Sequence, residues 1–567
     1  MNDMSNADTW RVSIGTVVVL TALLAFAVRS RGARPWWAIG GGLGLLLTAG
    51  LRGAWELGIL LWSVPMLAAY FRHQSLGGTL FPERFATRDD IQPYLIDSDS
   101  AESERAILAG TLWETRWGRS MASWVALHPT QDRPEVGHGL VVAPTGLGKG
   151  LAIVTQMLRN THHSVIVLDL KGEAYRLTSG ARAAAGHRIV RVDLDGGLTG
   201  HRWDPTGEAT DEDDLRVIAH ALTHDPHDRD PFWAQAAEEM LTAGMLAGRS
   251  CGRAVFPFLR GLFDLGIHGA ADLIRTIDPA IAVRFLPDGR VGTKLMLGVW
   301  MTLVARLRPL LTDRLLPVLA GADFAPADLR TERTTVYLTV PEASLERLTP
   351  ALGAVWTGLI TGIIRHADAT PAAGHHPLLL ILDEAGRIPI PRLPGYLATL
   401  RSRGVTCLVY VQSFSQLTEQ YGLDQAQSIS NNCALHVYYQ QHDATTAWAV
   451  SRRLGETSDY ARGYGVAETG IIPGGGTTTE SVIERPRPLL TPQEVMRLPD
   501  DTILVFYRGL RPLWVRRLDW REHPTLSNLA SLPPAALPRL ATESDGSHPL
   551  SLPREGAAHD AYVDPDG

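Results

Sequence analysis

The sequence predicts an α/β fold: a parallel sheet whose strand ends frame a phosphate crevice, with an inserted all-α domain and an N-terminal helical transmembrane anchor. Three observations predict it. His138 to Ile153, HGLVVAPTGLGKGLAI, runs from a short apolar strand through a glycine-rich turn and a lysine into an apolar helical pattern. A second apolar run, Pro377 to Leu382, ends in Asp383-Glu384. Between Asp211 and Arg330 the strand pattern vanishes and helical spacing takes over.

The chain has 567 residues, 45% hydrophobic and 20% charged, enough for two or more domains. A net charge of −7 gives no global basic field of the kind that announces nucleic acid, though it allows a local basic channel between subunits. Cys251, Cys407 and Cys433 lie far apart, which fits a reducing compartment and no disulfide framework. His162-His163 and His375-His376 lack metal-ligand spacing to Cys or acids and read as loop residues.

Residues 1–73 read as the anchor. Val12 to Val28 and Pro35 to Leu51 carry no charge, and Leu57 to Phe71 is a third apolar run. A spanning helix needs about 17–25 residues, so each run is near the short limit. Arg29, Arg31 and Arg34 separate the first two runs, and Arg72 follows the third. Arginines favour the cytoplasmic side. Three spans with the N-terminus outside satisfy that rule; two spans would leave Arg29 to Arg34 outside. No cleavage pattern of a signal peptide follows the first run. Residues 74–137 read as a linker and β-rich lead-in, with Trp113, Trp117 and Trp124 as packing residues.

The first part of the core spans 138–210. In Ala143-Pro144-Thr145-Gly146-Leu147-Gly148-Lys149-Gly150-Leu151 the glycines let the backbone curl around a phosphate. Successive N–H groups point inward, and the helix N-terminus adds partial positive charge. Pro144 to Leu151 are therefore the expected nucleotide contacts, with Lys149 reaching the β- and γ-phosphates of ATP. Ala143 replaces the usual first glycine, and Gly150 replaces the Ser/Thr whose hydroxyl normally holds Mg²⁺. Ser164 to Asp169 and Ile189 to Val192 read as further strands, and Asp193 as a helix cap.

The inserted domain spans 211–330, with helical spacing in Leu215–Leu222, Phe232–Ala247, Gly269–Thr276 and Thr293–Leu311. Phe232 and Trp233 read as buried packing. The core resumes over 331–523 with the strand Thr335–Val340 and a long apolar helix, Leu348–Ile364. In-line hydrolysis needs charge neutralisation and an oriented nucleophile. Asp383 is thus the expected Mg²⁺ ligand and Glu384 the group that polarises water. Gln412, ending the strand Thr406–Val411, is placed to bond the γ-phosphate or that water. Arg401 and Arg403 read either as arginine fingers on a neighbour's nucleotide or as helix C-terminal caps. Gly463 to Ser481 reads as a mobile loop and 524–567 as a disordered tail.

The segment LLLILDEAGRIPIPRLPGYLATLRSRGVTCLVYVQSFSQLTEQYG resembles that of type IV secretion system coupling proteins, the TraG-like conjugative DNA-transfer ATPases. APTGLGKG resembles their P-loop, in which Gly often replaces the terminal Ser/Thr. VIVLDLKGEAYRLTSG, DPFWAQAAEEMLTAGM, SISNNCALHVYYQQHDATTAWAVSRRLG and RPLLTPQEVMRLPDDTILVFYRGLRP extend the resemblance from Phe81 to Pro524. It implies a RecA-like P-loop ATPase core, a homohexamer, and a multi-pass inner-membrane anchor with the ATPase in the cytoplasm. It also implies ATP- and Mg²⁺-dependent delivery of single-stranded DNA, carrying a relaxase, to the other proteins of a secretion channel. Such DNA contacts are sequence-independent. Lys149, Asp383, Glu384 and Gln412 carry over as nucleotide residues, and Arg401 and Arg403 as a motif. Two other readings stay open. An FtsK-like chromosome pump usually adds a winged-helix reader, whereas only a weakly patterned stretch follows Pro524. A coupling ATPase for protein effectors alone is compatible with the negative charge.

Overall fold

A computed structural model describes residues 82–96, 104–116, 119–128, 136–197, 199–224, 230–286, 293–370, 375–468 and 476–540. The apolar runs read as membrane spans lie outside the described residues. The chain divides into two units, Met1–Pro82 with Glu456–Arg487, and Glu83–Gly455 with Pro488–Gly567.

The strands are β1 (Leu95–Ile96), β2 (Ile107–Arg116), β3 (Arg119–Leu127), β4 (His138–Val142), β5 (Ser164–Asp169), β6 (Arg188–Asp193), β7 (Thr334–Thr339), β8 (Leu378–Leu382), β9 (Val405–Val411), β10 (Cys433–Tyr438), β11 (Glu456–Glu468), β12 (Gly476–Pro488), β13 (Thr502–Tyr507) and β14 (Leu513–Arg516). In the larger unit the described residues form a 12-stranded sheet ordered β1-β3-β2-β14-β13-β10-β4-β9-β8-β5-β7-β6. From β10 to β6 neighbouring strands run parallel. From β10 back to β1 they run antiparallel.

The parallel half is apolar on both faces because both are covered. Leu140, Val142, Ile166, Leu168, Leu380 and Leu382 face the core shared with the helix Leu345–Ala369 and the insertion. Val141, Val165, Val167, Leu379 and Ile381 face Ile153, Met157 and Ala174 on the helices Lys149–Arg159 and Glu173–Ala184. Edge strand β6 alternates between exposed and buried positions, as a half-covered strand should. One described helix, Glu342–Ala369, is long and apolar enough to cross a membrane, but 72% of its apolar window is buried inside the fold. It is the central core helix, with Leu352, Trp356, Leu359, Ile360 and Ile363 fully covered.

Between β6 and β7 the chain is largely helical: Glu212–Thr223, Pro231–Ser250, Val255–Ile277, Pro279–Phe285 and Thr293–Leu307. Asp211, Asp230 and Asp278 start three of these helices, each accepting a backbone N–H with its carboxylate. Proline follows the cap at Pro231 and Pro279, where no N–H is needed. The stretch Val255–Ile277 breaks at Gly266, whose φ is 71°.

Three expectations are corrected. Phe232 is 47% exposed rather than buried, while its neighbour Trp233 packs over Gly298, a glycine where a Cβ would sit 2.7 Å from the indole. Of the Gly/Thr-rich stretch 463–481, residues 463–468 and 476–481 are not loop: they lie in the hairpin strands β11 and β12 of the smaller unit, and 469–475 fall outside the described residues. Its Thr residues are β-branched and extend readily, so glycine content overstated its freedom. Of the segment 524–567 read as a disordered tail, residues 524–540 are ordered, and 541–567 lie outside the described residues. A helix, Pro524–Ala530, buries Leu526 and Ala530 beside Val154, Leu158 and Ala181. Its Pro-rich continuation docks by backbone groups: Ala535 N–H donates to Ser179 Oγ at 3.1 Å, and Gly200 N–H to the Pro538 carbonyl at 2.9 Å.

Candidate nucleotide site

β4, β8 and β9 lie side by side and parallel, so their carboxyl ends deliver three segments to one place. β4 ends in the glycine turn. Gly146 and Gly148 have φ of 88° and 96°, the left-handed region that glycine enters freely. The helix Lys149–Arg159 then starts with no side-chain cap and no acid in its first turn. An uncapped, acid-free N-terminus at a glycine turn suits an anion.

β8 ends in Asp383-Glu384. Lys149 Nζ lies 3.0 Å from Asp383 Oδ1 and donates a hydrogen bond to Glu384 Oε1. All three side chains are largely buried. Burial opposes the ammonium's charge, but the two carboxylates outweigh it and hold the Lys149 pKa above its ordinary value. Burial raises the Asp383 carboxyl, against the pull of Lys149. Glu384 sits at φ 57°, a conformation a non-glycine residue adopts at a cost of about 1 kcal/mol. Its carbonyl accepts from the N–H groups of Arg387 and Ile388 at 2.8 and 3.0 Å, which fixes the turn.

β9 ends in Gln412, whose Nε2 donates to Glu384 Oε1 and Oε2 at 3.2 and 3.0 Å. Lys149, Asp383, Glu384 and Gln412 thus form one hydrogen-bonded cluster from three strand ends. Pro144 and Thr145 lie in the turn before it, and Gly150 and Leu151 in the helix after it. Arg401 and Arg403 do not join this cluster. They precede β9, a strand length from Gln412 of about 20 Å at the usual rise. Arg403 pairs with Asp368 at 2.8 Å and donates to the Thr399 carbonyl at 2.8 Å. Asp169 and Asp193 also stay out. Asp169 accepts the Tyr175 N–H at 2.8 Å in the next helix, and Asp193 pairs with Arg191 at 3.1 Å.

Sequence reasoning missed Gln416. Its Oε1 accepts the Gln412 N–H at 3.2 Å, and its side chain fills the space where a Cβ at Gly386 would sit, 2.8 Å away. It therefore ties the Gln412 turn to the Glu384 turn. The signal was Ser413-x-x-Gln416, a helix-start pattern whose serine caps the Gln416 N–H at 3.1 Å.

A model of the family described as Type IV secretory system Conjugative DNA transfer matches residues 96–255 and 291–539. Protein VirD4 of Rhizobium radiobacter is 26% identical over 425 residues, covering 72% of this chain and 60% of that protein. Conjugal transfer protein TraG of Escherichia coli is 25% identical over 400 residues, covering 64% of this chain and 62% of that protein. The matched part thus spans about 60% of these relatives' length. Among solved structures, the bacterial conjugative coupling protein TrwBdeltaN70 in its unbound monoclinic form superposes with a TM-score of 0.57 at 17% identity, covering 78% of this chain and 95% of that one. The plasmid coupling protein TrwB, in complex with the non-hydrolysable ATP analogue ADPNP, gives 0.55 at 17% identity with the same coverage. At that identity the likeness establishes the shared mixed α/β fold. By the family match over most of its length, the chain belongs to the type IV secretory system conjugative DNA transfer family.

Proposed function

We propose that this protein is a membrane-anchored ATPase that recruits relaxase-bound, single-stranded DNA and drives it into a type IV secretion channel. The meeting of Lys149, Asp383, Glu384 and Gln412 at three adjacent strand ends carries the reading. The residues fit ATP and Mg²⁺: an uncapped helix N-terminus, a buried ammonium and a carboxylate pair face one crevice. ATP would supply the phosphoanhydride bond, and bound Mg²⁺ would supply charge neutralisation. Pro144 to Leu151 present N–H groups to the phosphates, and Lys149 adds a point charge. Asp383 would hold the cation, since Gly150 has no hydroxyl to offer. Glu384 takes the proton of the attacking water at a carboxylate oxygen that Gln412 orients.

The division is anchor 1–73, lead-in 74–137, nucleotide-binding parts 138–210 and 331–523, an all-α insertion 211–330, and a C-terminal segment from 524. The anchor crosses the inner membrane several times and leaves the ATPase in the cytoplasm. The working form is a ring, a homohexamer, and either Arg401 or Arg403 reaches the neighbour's nucleotide. A guanidinium placed a strand length from its own chain's site suits an action in trans better than one in cis.

The test uses full-length protein in detergent. Lys149→Ala abolishes ATP binding by equilibrium titration; unchanged affinity rules out the phosphate-loop assignment. Glu384→Gln binds ATP as wild type but turns it over at least about a hundredfold more slowly, the usual contribution of a positioned base. Normal turnover would move that role elsewhere.

A further inference from the structure

Arg517 follows β14, far from the glycine turn in sequence, yet its side chain lies against it. Nη1 donates to the Leu147 carbonyl at 2.9 Å and to the Asp500 carbonyl at 2.9 Å. The stem and guanidinium cover Gly148: a Cβ there would come within 3.1 Å of Nε and 3.2 Å of Cδ and Cζ. The side chain is 18% exposed. The Asp519 carboxylate lies 3.9 Å from Arg517, but it is closer to Arg521, with which it pairs at 2.6 Å. Arg517 therefore gives Nη1 to two neutral carbonyls, one of them in the glycine turn.

The consequence is directional. The Leu147–Gly148 peptide is planar, so its carbonyl and its N–H point opposite ways. Holding the Leu147 carbonyl outward on Arg517 turns the Gly148 N–H inward. That N–H is among those a phosphate cradle needs. The guanidinium also adds a fixed positive charge behind the turn. We infer that Arg517 is a positioning residue of the phosphate turn, holding the Leu147–Gly148 peptide in the orientation that binds nucleotide and linking that turn to the loop before β13. The inference rests on the ATPase reading above. It differs from the arginine-finger idea: Arg517 acts within its own chain, on the backbone.

The test compares ATP binding and turnover in full-length wild type, Arg517→Ala, Arg517→Lys and Lys149→Ala, with circular dichroism melts as the control for folding. Arg517→Ala raises Kd and KM for ATP by about tenfold, the scale of one charge-assisted hydrogen bond, while kcat at saturation stays within about twofold. Arg517→Lys keeps the cation without the planar fork and recovers part of the affinity. If Arg517→Ala does not fold, Arg517→Gln, which keeps a donor and loses the charge, takes its place with the same expected rise. Wild-type affinity in a folded Arg517 variant overturns the inference. If Lys149→Ala also binds as wild type, the ATPase reading fails; if Lys149→Ala loses binding while the Arg517 variants keep it, only the present inference fails.

Discussion

At the residue scale, single side chains fix orientation by having only one way to satisfy their neighbours. His138 on β4 is fully buried; its Nε2 faces the Leu397 carbonyl at 2.7 Å, and its Nδ1 accepts the Cys407 N–H at 3.0 Å. Only the neutral Nε2–H tautomer meets both partners. Burial, aided by the charge of Arg401, pushes its pKa from 6.5 down to about 4. A depressed base pKa gives stability that is full above the unfolded value and is lost as pH falls toward the folded one. Between pH 7.5 and pH 5 the His138 share is about 2 kcal/mol. His163, His187 and His436, pushed by burial to about 3, add to the same slope. Urea unfolding at the two pH values should show a clear loss on acidification, and His138→Gln, which can donate and accept without titrating, should remove only part of it. An unchanged slope in that variant would mean that His138 takes up its proton as readily in the fold as in the unfolded chain. Arg182 works by the same logic: fully buried, it donates to the carbonyls of Met157, Asn160 and His163 at 2.7–2.8 Å.

At the scale of elements, the C-terminal segment is the part whose importance its composition hides. Pro533, Pro534 and Pro538 rule out a long helix or an internal strand, so the stretch after Ala530 uses its carbonyls on other elements. Gly180 in the helix Glu173–Ala184 admits it: a Cβ at that position would lie 2.2 Å from the Pro533 carbonyl oxygen. The Tyr175 hydroxyl donates to the Ala535 carbonyl from the same helix. Gly180→Val should therefore lift residues 531–540 from the helix. Limited proteolysis should cut there several times faster than in wild type, with the sheet core still resistant; equal cleavage would show that the segment is held elsewhere. Trp356→Ala, in the helix Leu345–Ala369, should instead loosen the whole core by about 3–5 kcal/mol, read as a lower urea midpoint.

At the scale of the whole molecule, the proposal joins a membrane anchor to a motor that grips phosphates. Full-length protein should stay with the membrane after alkaline carbonate washing, and a chain starting at residue 82 should be released; a washed-off full-length chain would remove the anchor. ATPase stimulation by single-stranded DNA should fall steeply as salt rises and should be the same for unrelated sequences, because phosphate neutralisation releases counterions without reading bases. Stimulation that depends on sequence would contradict a phosphate-gripping motor.

The sequence by itself determined the α/β core, the strands around Leu140, Val167, Leu380 and Val409, and the choice of Lys149 and Asp383-Glu384 as strand-end residues of one candidate site. These are local signals: an apolar run, a glycine turn and a strand-end acid each declare themselves within a few residues. Tertiary structure alone decided the rest. It set the order of strands that seats Gln412 on Glu384, and it brought Gln416 under Gly386. It also laid Arg517 behind Gly148 and folded residues 524–540 onto the helices Lys149–Arg159 and Glu173–Ala184. Such contacts join residues tens to hundreds of positions apart. Each depends on which surfaces close packing leaves adjacent, and no short window of sequence records that.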